Sequence, residues 1–312
     1  MAKKHFLLPS RLVNKMPVLR RFVWMLEAVV VKSLAGLIRR MPPERAYKFT
    51  NALFRNLKPV LPFTKKIRRN LAIAFPHKSR QEIEQLTRAV CGNLGLAVAD
   101  MLLAMRIWAE RDRRIEFVVQ DGVDFSGFHG RPAVLVDGHI GAWLIGAFVA
   151  AQYDLHLTAA YAPEQNPYLK DFADKLRAAM PVSLISRDGC MRHLSKELKQ
   201  GHMVGLVSDA RFDRGEPVDF FGRPMWANTA AARLAVRYQC DLIPVRTERL
   251  DGLRFRITVG KTIRPADPDA PAAEQARQMT AELFKLFEAW IRADPAQWIC
   301  FSRLWPPEAY AD

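Results

Sequence analysis

The chain has 312 residues, half of them hydrophobic, with 47 Lys and Arg against 32 Asp and Glu and a formal net charge of +15. That apolar share suffices for a sizeable core, and the absence of low-complexity tracts and repeats argues against a disordered chain. The charge asks for anionic company, whether nucleic acid, lipid headgroups or an acidic protein, and composition alone does not choose among them. Cys91, Cys190, Cys240 and Cys300 lie far apart without metal-ligand spacing, and read as buried free thiols in a reducing, cytoplasm-facing compartment.

The stretch from Phe22 to Ile38 is mostly apolar and is flanked by Arg20, Arg21, Arg39 and Arg40. Glu27 and Lys32 interrupt it, so it offers no clean run of about 20 apolar residues. Phe22, Met25, Leu26, Val29, Val30, Leu34 and Leu37 fall at helical spacing on one face. No signal-peptide cleavage site follows. Two readings stand: an amphipathic helix in the headgroup region with its arginines on anionic lipid, or a stripe packed on the protein's own core.

Residues 1 to about 115 read as a helical region. Pro42-Pro43-Glu44 suggests a helix start, and Ser79 with Glu82 makes a capping box ahead of a long helix. Lys65, Lys66, Arg68 and Arg69 precede Asn70-Leu71-Ala72-Ile73-Ala74-Phe75-Pro76, as a solvated helix face that also suits an anionic membrane.

From 116 to 312 the texture changes to short apolar runs alternating with helical stretches. Ala133–Val136, Met203–Val207 and Leu242–Val245 predict buried strands, and Phe255–Val259 a more exposed one. Helices are predicted over Trp143–Tyr153, Pro167–Met180, Met191–Gln200, Thr229–Tyr238 and Ala272–Ala293. The expected fold is α/β: a layered mixed sheet flanked by helices, with a helical, membrane-associating amino-terminal region.

The richest segment is Val134-Leu135-Val136-Asp137-Gly138-His139-Ile140-Gly141-Ala142-Trp143, an apolar strand running into a Gly-flanked histidine and then a helical pattern. Ligands of open α/β sheets bind beyond the carboxyl ends of strands. A histidine there suits a general base for a hydroxyl, with helix amides just beyond it to stabilise an oxyanion. A lone histidine near a strand end is more often structural. Loops at Tyr161–Pro167, Ser186–Gly189, Ser208–Arg211 and Phe220–Pro224 gain interest together, because a site is assembled where several strand ends meet.

In this order the segments resemble the lysophospholipid acyltransferase superfamily, and within it the lauroyl and myristoyl acyltransferases that finish lipid A. Arg69-Asn70-Leu71 with Phe75-Pro76 resembles the amino-terminal signature, and Gly138-His139-Ile140-Gly141-Ala142-Trp143 the histidine motif. Tyr161, Pro163, Asn166 and Pro167 resemble the next block. Arg187, Leu198-Lys199-Gln200-Gly201, Asp209 and Phe220-Phe221-Gly222 follow in sequence. Pro295-Ala296-Gln297-Trp298 with Arg303 and Trp305 resembles the carboxyl-terminal signature.

The resemblance implies transfer of a fatty acyl group from a thioester to a hydroxyl of a lipid acceptor, most simply a lipid A precursor, with His139 as base. The donor it implies is acyl carrier protein rather than coenzyme A; no metal or bound cofactor is required. It puts substrate contacts at Asn166, Arg187, Asp209, Phe220, Phe221 and Gly222. It also implies the cytoplasmic face of a bacterial inner membrane, with an anionic membrane surface as a partner.

Two positions depart from the pattern. The acid that should follow His139 by five residues is Leu144, and the arginine that commonly follows Tyr161 is Ala162. Losing an orienting acid costs on the order of ten-thousandfold in rate. Asp137 is a candidate surrogate, because two residues before His139 in a persisting strand it would face the same way; Asp209 is a second. Otherwise the chain is a catalytically silent member that binds lipid or carrier protein, or its acceptor needs less base assistance. Nucleic acid is not expected as a partner, since the basic residues are spread along the chain without a recognition helix or aromatic platform.

Overall fold

The computed structural model describes residues 16–251 and 253–310. Among the described residues four helices come first: α1 (Pro17–Arg40), α2 (Pro43–Leu57), α3 (Thr64–Ala74) and α4 (Arg80–Ala109). α2 begins with proline at its first turn, where the missing N–H costs nothing. α4 opens on the capping box: Ser79 Oγ accepts the Glu82 N–H, and Glu82 Oε2 accepts the Ser79 N–H at 2.7 Å. α4 is long and apolar enough to cross a membrane, but 67% of its most apolar stretch is buried inside the protein, as befits a core helix.

A short helix, α5 (Arg111–Arg114), leads into β1 (Ile115–Val119). There follow β2 (Ala133–Asp137), α6 (Trp143–Gly146), α7 (Phe148–Gln152), β3 (Leu157–Tyr161), α8 (Lys170–Ala178), β4 (Ser183–Ser186), α9 (Met191–Lys199) and β5 (Met203–Val207). A hairpin of β6 (Arg211–Phe220) and β7 (Arg223–Ala227) precedes α10 (Ala230–Tyr238), β8 (Asp241–Arg249), β9 (Phe255–Val259) and α11 (Ala272–Ala293). Seven strands form one sheet in the order β1-β9-β8-β2-β5-β3-β4, in which only the β8–β9 pairing is antiparallel. The fold is the expected α/β mixed sheet flanked by helices.

β2 shows why its sequence is a continuous apolar run: both faces are covered. Val134 and Val136 join a core with Leu194, Leu234, Phe284 and Trp298, while Ala133 and Leu135 join another with Leu103, Ile145, Phe148 and Phe255. The period-two alternation of a strand thus divides one segment between two hydrophobic layers. The predicted helix over Trp143–Tyr153 is instead two short helices, and Pro167 begins a 3₁₀ turn that hands over to α8 at Lys170.

The outer face of α1 tests one of the two readings of its apolar stripe, packing on the protein's own core. Phe22, Met25, Leu26, Val29, Val30 and Leu37 are exposed, while Val23, Trp24, Ala28, Ala35 and Ile38 bury the opposite face. The helix is held to the body where the Asn166 side-chain amide donates to the Trp24 carbonyl at 2.8 Å. Packing of the predicted stripe on the protein's own core is therefore corrected, save for half-buried Leu34. A different set of apolar residues does that packing.

Candidate active site

β2 and β5 are adjacent parallel strands, in register from Ala133 opposite Met203 to Asp137 opposite Val207. Their carboxyl ends are therefore neighbours, and the residues two positions beyond each end, His139 and Asp209, meet. The His139 Nδ1–H donates to Asp209 Oδ1 at 2.7 Å, and the His139 backbone N–H donates to Oδ2 at 3.0 Å. A carboxylate can only accept, which assigns the proton to Nδ1 and leaves Nε2 as the basic nitrogen. Nε2 makes no hydrogen bond among the described residues. Asp209 is 4% exposed and the imidazole 28%, so the acid is sealed and the base reaches the surface.

Burial alone would push the imidazole down, but the charge and the hydrogen bond of Asp209 outweigh it and hold His139 above its ordinary range. Trp143 and Phe301 meet the ring edge-on, with centroids 5.2 and 6.0 Å away. Phe63, immediately before α3, lies 6.3 Å from Phe301. The basic face of α3, with exposed Lys65, Arg68 and Arg69, thus begins one ring beyond the ring that touches His139.

Asp137 does not hold His139. The chain leaves strand geometry at Gly138, where the Ile140 N–H turns back to the Gly138 carbonyl at 2.6 Å, so the expected same-side alternation ends before the histidine. Asp137 lies instead beneath α6 beside Gly146 and Thr247, with Oδ1 buried and without a hydrogen bond. Burial, reinforced by the Asp209 charge, pushes its carboxyl well above the usual range, toward the neutral acid. Leu144, half-buried on α6, leaves the imidazole proton to Asp209 alone.

The loop after His139 is braced by the carboxyl-terminal segment. The Gly141 N–H donates to the Gln297 carbonyl at 2.9 Å, the Ala142 N–H to the Thr247 carbonyl at 3.1 Å, and the Ile299 N–H to the His139 carbonyl at 2.8 Å. The Gly141 and Ala142 amides are therefore engaged in holding the loop. Gly141 has φ +63°, and a Cβ there would sit 1.8 Å from the Thr247 carbonyl oxygen, so the close approach requires glycine.

The other predicted residues scatter in function. Arg187 is exposed just past β4, on the same rim as His139 but three strands away, about 14 Å at ordinary strand spacing. Asn166 faces α1 rather than open space: its Oδ1 accepts the Tyr168 N–H while its amide holds Trp24. Phe220 and Phe221 are core residues, packed against Trp298 and Trp305, and are closed to a ligand. Phe221 (φ +58°) and Gly222 (φ +71°) form the two-residue turn of the β6–β7 hairpin, both in the left-handed region such a turn demands. Tyr161, where Ala162 replaces a cation, is covered by the guanidinium of Arg177, 3.9 Å above its ring and paired with Glu164.

Residues not singled out from sequence support the site from behind. Arg249 pairs with Asp100 and with Asn93, Tyr47 donates to Asp100, and Asn93 donates to the Gln297 carbonyl at 2.9 Å. Polar Asn93 and Asp100 inside the apolar stretch of α4 are the one sequence signal by which they could be found. Asn70, fully buried, donates to the Cys300 and Ser302 carbonyls at 2.8 and 2.6 Å and accepts the Tyr310 hydroxyl at 2.6 Å. The amino- and carboxyl-terminal signatures are thus halves of one contact.

A buried carboxylate that orients a partly exposed histidine at adjacent strand ends is an arrangement on which acid–base and acyl-transfer sites of α/β proteins are built. The model of the bacterial lipid A biosynthesis acyltransferases matches residues 14–306, and the chain belongs to that family. No curated protein matches the sequence significantly.

Proposed function

We propose that this protein transfers a fatty acyl group from acyl carrier protein to a hydroxyl of a lipid A precursor, with His139 as general base and Asp209 as its orienting acid. The observation that carries the reading is the 2.7 Å bond between His139 Nδ1 and Asp209, which leaves Nε2 free to work. Nε2 takes the proton of the acceptor hydroxyl as its oxygen attacks the thioester carbonyl. The tetrahedral intermediate collapses by breaking the carbon–sulfur bond, and the imidazolium returns the proton to the departing thiolate. The products are an ester and a thiol, and the histidine is regenerated.

Acyl carrier protein is favoured over coenzyme A because the chain is strongly basic and the α3 cations flank the site; an acidic carrier is their natural complement. The exposed apolar face of α1, bounded by Arg20, Arg21, Arg39 and Arg40, supports docking on the cytoplasmic leaflet of the inner membrane. Leu144 favours a second reading, a silent member that binds the same molecules without cleaving the thioester.

The test is mass spectrometry of a lipid A precursor incubated with the purified protein and acyl carrier protein loaded with lauroyl or myristoyl chains. The acyltransferase reading expects an acceptor heavier by one acyl group, and no product with His139→Ala. Binding of either substrate with no thiol release by the wild type would establish the silent reading instead.

A further inference from the structure

Three of the chain's seven histidines converge on one carboxylate far from the acyl-transfer site. His202 Nδ1 lies 2.8 Å and His156 Nε2 3.3 Å from Glu197 Oε2, and His193 Nε2 lies 3.3 Å from Glu197 Oε1. His156 joins α7 to β3, Glu197 and His193 sit one turn apart on α9, and His202 occupies the turn between α9 and β5. We propose that His156, Glu197 and His202 form a binding site for a divalent transition-metal ion of the zinc class.

The spacing suits the ion. Zinc bonds of about 2.0–2.1 Å in a tetrahedron place donor atoms about 3.3 Å apart. The donor atoms of His156, Glu197 and His202 lie within 4.8 Å of one another, so small ring rotations bring all three onto one ion. Imidazole nitrogen with one carboxylate oxygen is a donor set for zinc, nickel or copper rather than for magnesium or calcium.

Simple ion pairing accounts poorly for the same geometry. The His156 and His202 rings overlap with centroids 4.1 Å apart and planes 31° from parallel. Two imidazolium cations so placed repel each other, and a single carboxylate compensates only one of them. Neutral rings are free of that repulsion, and each then carries a lone pair that a metal ion can use. Glu197 itself is nearly buried, with its Oε2 shared between His156 and His202 and its Oε1 facing His193.

The scaffold is already fixed. The His202 N–H donates to the Glu197 carbonyl at 3.0 Å, the Met203 N–H to the His156 carbonyl at 2.9 Å, and Leu194 and Leu198 anchor α9 in the core. His202 precedes β5 and Asp209 follows it, so the full length of that strand, about 17 Å, separates the two sites. The ion therefore takes no part in acyl transfer. It clips the α7–β3 connection to the α9–β5 turn.

The experiment uses the full chain, without a polyhistidine tag and freed of metal by chelator, titrated with zinc against a chromophoric chelator and melted with and without zinc. One zinc per chain and a melting temperature raised by several degrees are expected. Cobalt should give the intense visible absorption of a tetrahedral nitrogen–oxygen site. Both responses should vanish in the His156→Ala/His202→Ala variant, whose side chains are 50% and 35% exposed and so removable without loss of the core, and should persist in His139→Ala. Glu197→Gln, checked for native circular dichroism, should weaken zinc binding at least tenfold. Wild-type protein that takes up no more zinc than the double variant, or a zinc site lost with His139 instead, would overturn the proposal.

Discussion

Asp209 grips His139 twice with one carboxylate, through the ring at 2.7 Å and through the backbone N–H at 3.0 Å. Ring orientation and loop position are therefore set by the same group. An acid five residues along the chain would have to reach back from α6; an acid at the end of the adjacent parallel strand is already there. This arrangement lets the chain carry Leu144 without leaving the imidazole unsupported.

The pair predicts a pH profile. Burial lowers the imidazole and Asp209 raises it by more, so His139 titrates above its ordinary value near 6.5. A general base works only when neutral, so kcat/KM should fall as pH drops through that raised value. Asp209→Asn should move the acid limb below its wild-type position, because burial then acts alone. Stability has the opposite sign: the pair's contribution is full below the unfolded pKa and is lost as pH rises through the folded one. Initial rates and melting temperatures across about three pH units on either side of neutrality read both effects.

Asn70 ties the two ends of the family-matched region together, and its replacement should loosen them. Asn70→Ala leaves the buried Tyr310 hydroxyl and the Cys300 carbonyl without that partner, a loss of about 2–3 kcal/mol. Tyr310→Phe removes as many bonds, the one donated to Asn70 and those accepted from the Leu304 and Trp305 N–H groups, and should cost a similar amount. Denaturant melts would show both losses; equal stability of both variants and the wild type would contradict them.

The outer face of α1 should govern membrane attachment. Val29 is 56% exposed and Phe22 57%, so Phe22→Glu/Val29→Glu should fold normally. In co-sedimentation it should leave phosphatidylglycerol vesicles that retain the wild type, losing on the order of 2 kcal/mol or more of binding. Retention of the variant would mean that another surface meets the lipid.

How much of this was legible in the sequence follows from what kind of pattern each feature leaves. β5, β9 and α11 appear in the structure with their predicted bounds, because continuous or periodic hydrophobicity marks them. β4, Ser183–Ser186, is a polar-ended edge strand and left no such mark. His139 stood out by its setting between strand and helix. Asp209 ranked only second as its partner, because it is near His139 only through the pairing of β2 with β5, across 70 residues of chain. Asp137 misleads for the converse reason: proximity in sequence suggests a strand that continues to His139, whereas β2 ends at Asp137. Phe220 and Phe221 are prominent in the motif through core packing. The histidines at 156, 193 and 202 show no metal-ligand spacing, and only the fold gathers them.

The most direct measurement compares kcat for acyl transfer in Asp209→Asn and Asp137→Asn at a pH where wild-type His139 is neutral. Asp209→Asn should lose on the order of ten-thousandfold, since amide replacement disrupts both the tautomer and its charge support. Asp137→Asn, which exchanges a carboxyl that burial pushes well above its usual range for an amide of similar shape, should retain wild-type activity within about threefold. The reverse pattern, with Asp137→Asn inactive and Asp209→Asn unimpaired, would contradict Asp209 as the acid that sets the base.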